Sequence, residues 1–168
     1  MKDVKELLKG GYDLHVHSAP DCLPRKMDDV DMGERITKIS HEEAYKLVPE
    51  ASKRGVKKIV ITHVSFPTTY YSIEDQKMFI SYGAKCEHCY TTWKTGKEEF
   101  DVIADMIKAV GAENCIIGTD LGNTKLCFPD EGMEEFAEKL LEAGLSEDDV
   151  RMMAVTNPRW LLGKDSME

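Results

Sequence analysis

Three times in the second half of the chain a short strand-like run gives way to a loop and then to a segment with helical spacing of its apolar residues. This alternation restricts the fold more than any other feature. Lys58 to Thr62 leads through a loop containing Pro67 to a helix beginning near Ser72, where Ser72-Ile-Glu-Asp75 has the form of a capping box, and ending near Gly83. Lys85 to Tyr90 is followed by a helix from Glu98 to Val110, whose apolar residues Phe100, Ile103, Met106, Ile107 and Val110 share a face and stop at Gly111. Cys115 to Asp120 is followed by a glycine-containing loop and a helix from about Glu131 to Ala143, closed by Gly144. Before these units Ser40-His-Glu-Glu43 opens a helix from His41 to Arg54, with Arg35 to Ile39 as a short strand feeding it. After them come a helix from Ser146 to about Val155 and a final short helix over Asn157 to Leu162. Strands alternating with helices imply parallel pairing with helices on the faces. No Pro-, Gly- or Ser-rich linker divides the 168 residues, so the chain reads as one domain, 1–168.

The strand-like run with the most chemistry is Tyr12-Asp-Leu-His-Val-His17. Side chains alternate along a strand, so His15 and His17 share a side about 7 Å apart and can grip one ion. The run from Lys58 stops at His63 and the run from Cys115 stops at Asp120. Three strands delivering His15, His17, His63 and Asp120 at their carboxyl ends read as a metal site on an α/β scaffold.

Charge and composition narrow the classes. The formal net charge of −9, with Lys and Arg dispersed, repels phosphate backbones and argues against nucleic acid. No apolar run approaches the roughly 20 residues that span a bilayer. Five cysteines, an odd number, and the absence of a charged-then-apolar leader point to free thiols in a reducing compartment, hence to the cytoplasm.

The ordered set His15-x-His17, His63 and Asp120 resembles the amidohydrolase superfamily of metal-dependent (β/α)8-barrel hydrolases. Asp13-Leu-His-Val-His-Ser-Ala-Pro-Asp21, Ile61-Thr-His63, Glu87-His-Cys-Tyr90, Gly118-Thr-Asp-Leu-Gly122 and Asn157-Pro158 with Leu161-Leu-Gly163 are most similar to a poorly characterised amidohydrolase-related family. Such a barrel takes about 250 residues and eight strands. This chain lacks roughly three strand–helix units, and the gap falls between Asp29 and Ser40. The resemblance would supply a bridging Lys or Glu from the fourth strand, which nothing here matches, and a histidine on the fifth, where Lys38 stands; His41 is out of register. In a closed barrel the first and last strands are neighbours. Removing strands two to four therefore predicts a truncated barrel, an open parallel sheet of about five strands in the order 5-6-7-8-1 flanked by helices. Its raw edges and apolar inner face would favour a homo-oligomer.

The resemblance implies hydrolysis of a C–N, C–O or phosphoester bond in a small-molecule substrate, by a water activated on zinc or a similar divalent ion. Asp120 would move the proton and His63 would act as ligand or carbonyl-polarising group. Each residue also has a plainer reading. His15 and His17 can be ordinary strand histidines, Asp13 either an orienting partner for an imidazole or the start of the strand, and Asp120 a loop cap. Arg25 can hold a substrate carboxylate or phosphate, or be solvated; His88 can touch substrate, or pack against a helix. Phe66-Pro67 and Thr68 to Tyr71 form an aromatic wall or pack their own loop. Cys86-x-x-Cys89 has a zinc spacing, but inside a strand the two thiols face opposite sides. The rival to an enzyme is a shortened, catalytically inactive relative serving as a binding or assembly module.

Overall fold

A computed structural model describes residues 3–16 and 41–164, with only the backbone described at 41–43. Helix α1 (Val4–Leu8) opens on the Asp3 carboxylate, which accepts the Lys5 N–H. After α2 (His41–Lys53) come β1 (Ile59–Ile61), α3 (Ile73–Ser81), β2 (Ala84–Cys89) and the short α4 (Tyr90–Lys94). The chain continues with α5 (Phe100–Val110), β3 (Cys115–Gly118), α6 (Pro129–Glu142) and α7 (Glu147–Arg151), and a π-helical turn at Met152–Thr156 runs on into α8 (Asn157–Leu161). The capping boxes at Ser72 with Asp75 and Ser146 with Asp149 both form, so two helix starts are set by local chemistry.

The strands pair in parallel in the order β1-β2-β3, with Ile61 beside Cys86 and His88 beside Ile117. The sheet is open, has three strands, and does not form the five-stranded 5-6-7-8-1 arrangement or any closing barrel among the described residues. Arg35 to Ile39, the expected first strand of that order, lies outside the described residues. The reason the N-terminal run adds no strand is visible in its hydrogen bonds. The Asp13 carboxylate takes the N–H groups of His15 (3.1 Å) and Thr119 (3.0 Å), which a neighbouring strand would otherwise satisfy through carbonyls. Tyr12 N–H goes instead to the Ala154 carbonyl. Among the described residues what remains is one parallel bridge, Val16 with Leu121, and the Asp120 N–H donating to the His15 carbonyl. The segment is thus laid beside the end of β3 by a side chain rather than by a ladder.

Strand alternation separates two faces. Ile61, Ala84, Cys86, Cys115 and Ile117 enter a hydrophobic cluster with Phe79, Ile103, Ile107 and Phe136. Glu87, Cys89 and Gly118 point the other way, toward the N-terminal segment. The C-terminal helices are tied to the sheet by Asn157, whose amide donates to the carbonyls of Ala112 (3.0 Å) and Cys115 (2.7 Å). No helix among the described residues is long and apolar enough to cross a membrane.

Candidate metal centre

His15, His63 and Asp120 come together where the N-terminal segment, the end of β1 and the end of β3 meet. His15 Nε2 stands 3.2 Å from Asp120 Oδ1, and His63 Nε2 stands 3.9 Å from Asp120 Oδ2. The two imidazoles meet edge to face, with ring centroids 4.7 Å apart. His63 and Asp120 both hold left-handed backbone, φ 58° and 54°. That conformation costs a non-glycine residue on the order of 1 kcal/mol and persists where the surroundings enforce it. At His63 the enforcement is local: its carbonyl accepts the Phe66 N–H and the Thr69 hydroxyl. At Asp120 it comes from the His15 carbonyl and from Thr91, whose hydroxyl donates to Oδ2 at 2.8 Å.

Three carboxylates surround the histidines. Glu87 Oε2 lies 3.0 Å from His15 Nδ1, so both ring nitrogens of His15 face an acid. Asp13 bonds Thr119 through both the backbone N–H and the hydroxyl. Burial pushes the Asp13 carboxyl up to about 6, against the lowering effect of those Thr119 and His15 hydrogen bonds. Cys89 Sγ is 3.6 Å from His15 Nδ1. Burial first, then the charges of Glu87, Asp120 and Asp13, hold its thiol well above the usual range. His15, His63 and Cys89 each offer a donor atom within 4.8 Å of the other two. The side chains of His15 and His63 are 6% and 8% exposed and that of Asp120 17%, so solvent reaches the cluster most easily at Asp120.

Gly118 makes this packing possible. A Cβ there would stand 2.9 Å from Glu87 Oε1 and 3.0 Å from His15 Cβ. Its backbone is not left-handed, so the requirement is for space alone.

The sequence reading and the structure differ at several positions. His17 and Arg25 lie outside the described residues, as does Lys38, and of His41 only the backbone is described, as the first residue of α2. His88 is not at the site: alternation turns it away from Glu87 and Cys89, it is fully buried, and its ring nitrogens have no hydrogen-bond partner among the described residues. Burial pushes its imidazole down to about 3. Phe66 meets the His63 ring, centroids 5.6 Å apart, whereas Tyr71 packs into the core with Phe79. Glu87, Thr91 and Gly118, which the sequence does not single out as site residues, also stand here, as does Cys89, whose C-x-x-C zinc spacing the sequence reading sets aside. The signal for two of them was present: in the run from Lys85 to Tyr90, Glu87 and Cys89 share one side of the strand.

Comparison with known proteins reaches part of this arrangement. No curated protein matches the chain. The model of a family of unknown function (DUF6282) matches residues 38–87, a span that takes in His63 and Glu87 and stops short of Cys89 and Asp120.

Proposed function

We propose that the chain binds a divalent ion, zinc or one of similar preference, through His15 Nε2, His63 and Asp120, and hydrolyses a C–N, C–O or phosphoester bond of a small molecule. One observation carries this reading: two imidazoles on neighbouring segments meet at one carboxylate, His15 beside Asp120 Oδ1 and His63 beside Asp120 Oδ2. Two N or O ligands at about 2.1 Å on a tetrahedral ion stand about 3.4 Å apart. Here His15 Nε2 is 3.2 Å from Asp120 Oδ1 and His63 Nε2 is 3.9 Å from Asp120 Oδ2, so the carboxylate would serve the two imidazoles through different oxygens. Two imidazoles with one carboxylate is also a donor set that borderline divalent ions accept.

When bound, such an ion polarises a substrate oxygen and makes a water nucleophilic near neutral pH. The remaining work falls to the chain. Glu87 accepts the Nδ1 proton of His15, a tautomer that leaves the Nε2 lone pair facing Asp120. Thr91 holds Asp120 Oδ2 and so fixes the rotation of the carboxylate. Asp120, the most exposed of the three, receives a proton from the attacking water and passes it to the leaving group. His63 serves as ligand or polarises the scissile group. Asp13 is a positioning residue, since it holds the backbone of Thr119 beside that of His15.

A second reading has its own observation. His15, with Glu87 at 3.0 Å and Asp120 at 3.2 Å, is also satisfied as an imidazolium between two carboxylates with no ion present. That arrangement suits an inactive binding or assembly module, and the outer edge of β1, unpaired among the described residues, offers a second copy a place to dock. Protein purified without chelator separates the two readings by metal analysis and by hydrolysis of a panel of esters, amides and phosphoesters. The hydrolase reading expects near-stoichiometric divalent metal with turnover, both lost in His15→Ala. Folded protein that holds no metal and takes up none of the zinc offered to it contradicts that reading and supports the module.

A further inference from the structure

We propose that the Nδ1 side of His15 is a second metal position, with His15 Nδ1, Cys89 Sγ and the Glu87 carboxylate as donors, His63 alongside, and a thiophilic ion such as Cd2+ or Zn2+ as its occupant. The geometry is close to what such an ion imposes. A nitrogen at about 2.1 Å and a thiolate sulfur at about 2.3 Å on a tetrahedral ion stand about 3.6 Å apart. Cys89 Sγ and His15 Nδ1 are 3.6 Å apart, and Glu87 Oε2 is 3.0 Å from the same nitrogen. His63 brings its own ring nitrogen within 4.8 Å of the His15 and Cys89 donors.

An independent observation points to a cation here. Glu87 is fully buried, and its second oxygen, Oε1, has no hydrogen-bond partner among the described residues. A buried carboxylate oxygen without a donor is costly, and a cation held by the Glu87 carboxylate would satisfy it. The thiol supplies selectivity: thiolate ligands favour soft and borderline ions over Mg2+, Ca2+ and Mn2+.

The two positions share His15 but use opposite ring nitrogens. A neutral imidazole has a single lone pair, so an ion on Nδ1 leaves the proton on Nε2, where it faces Asp120. Occupancy of the thiolate side therefore withdraws His15 from the Asp120 side. The site becomes one that a thiophilic ion switches off, and this position stands whether or not the Asp120 side is hydrolytic.

Cd2+ alone, added to the full chain, is the probe. The wild type is expected to bind one Cd2+ with a near-ultraviolet thiolate-to-cadmium absorption, and its 113Cd resonance to fall where a single sulfur donor places it. Asp120→Asn keeps the absorption. Cys89→Ser loses it and binds Cd2+ roughly tenfold or more weakly. Cys86→Ser, a buried thiol on the opposite face, keeps it. A 113Cd resonance typical of nitrogen and oxygen ligands alone overturns the proposal using the wild type only, whether or not Cys89→Ser folds. Absorption that survives Cys89→Ser, or that disappears in Asp120→Asn, overturns it as well. An absent metal-dependent hydrolysis beside an intact Cd2+ signal would instead sink only the reading of the Asp120 side.

Discussion

Replacing Gly118 by alanine inserts one methyl group at the closest approach in the site. In an ordinary strand position the change stabilises, by about 0.5–1 kcal/mol, because glycine has more backbone freedom to lose. Here the added carbon would sit 2.9 Å from Glu87 Oε1 and 3.0 Å from His15 Cβ, where ordinary contact begins at 3.4 Å. Glu87 must therefore retreat by about half an ångström, yet it is fully buried and its other oxygen is engaged by His15. The His15 Cβ cannot move without the segment that Asp13 ties to Thr119. Overpacking of this kind costs typically 1–3 kcal/mol. Set against the backbone gain, Gly118→Ala should lower stability by roughly 1–2 kcal/mol in urea denaturation and weaken zinc binding about 10- to 100-fold, the usual effect of disturbing a ligand's hydrogen-bonded support. Part of the clash is with Glu87, so Glu87→Ala should relieve it, and the double-mutant cycle should show a coupling of at least ~0.5 kcal/mol. Gly118→Ala protein that equals or exceeds the wild type in stability and binds zinc unchanged would refute the packing argument.

His88→Leu tests the opposite face. An imidazole held near 3 in the native state but titrating near 6.5 when unfolded adds stability that is complete above about pH 6.5 and lost as pH falls toward 3. The advantage of the leucine variant over wild type should therefore grow by up to ~1.4 kcal/mol for each pH unit below 6.5, followed by urea unfolding at pH 7.5, 6 and 5; a difference that stays flat would show that His88 is protonated or solvated in the native chain. Asn157→Ala strips the donor from two carbonyls beneath β3 and should cost about 2–4 kcal/mol, read as a lower urea midpoint with unchanged slope; a cost under about 1 kcal/mol would mean water replaces the amide. Thr91→Val removes the hydroxyl that holds Asp120 and should reduce zinc affinity roughly tenfold with little change in stability, measured by competition with a chromogenic chelator; unchanged affinity would show that the carboxylate needs no such support.

What could be read from the sequence was local. Ser72 with Asp75 and Ser146 with Asp149 announce helix starts through side chains that reach only three residues away. The run around Cys115–Gly118 announces a strand because both of its faces are covered, and Ile59–Ile61 does so as an uninterrupted β-branched run although Ile59 and Val60 are only half-buried. His15, His63 and Asp120 stand out in the sequence as polar residues closing strand-like runs, and the structure brings the three side chains together although the run before His15 forms no strand. The sheet size was not. Tyr12 to Val16 has a strand's pattern, but the Asp13 carboxylate, aimed at a residue more than a hundred positions away, takes the bonds a ladder would have used. His88 was misplaced for a related reason: its strand ends at Cys89, and only the tertiary fold decides which side of that strand meets His15. The closeness that depends on Gly118 is likewise invisible without the neighbouring segments in place.

Metal binding between His15, His63 and Asp120 is the proposal on which the hydrolase reading depends. Anomalous diffraction at the zinc edge, from crystals of the full chain grown with one equivalent of zinc, addresses it most directly. A peak is expected within bonding distance, about 2 Å, of His15 Nε2 and an Asp120 oxygen, and is expected to be absent from crystals of Asp120→Asn. Zinc found only away from the Asp120 carboxylate, or His15 still clasped between Glu87 and Asp120 with no ion beside it, would contradict it.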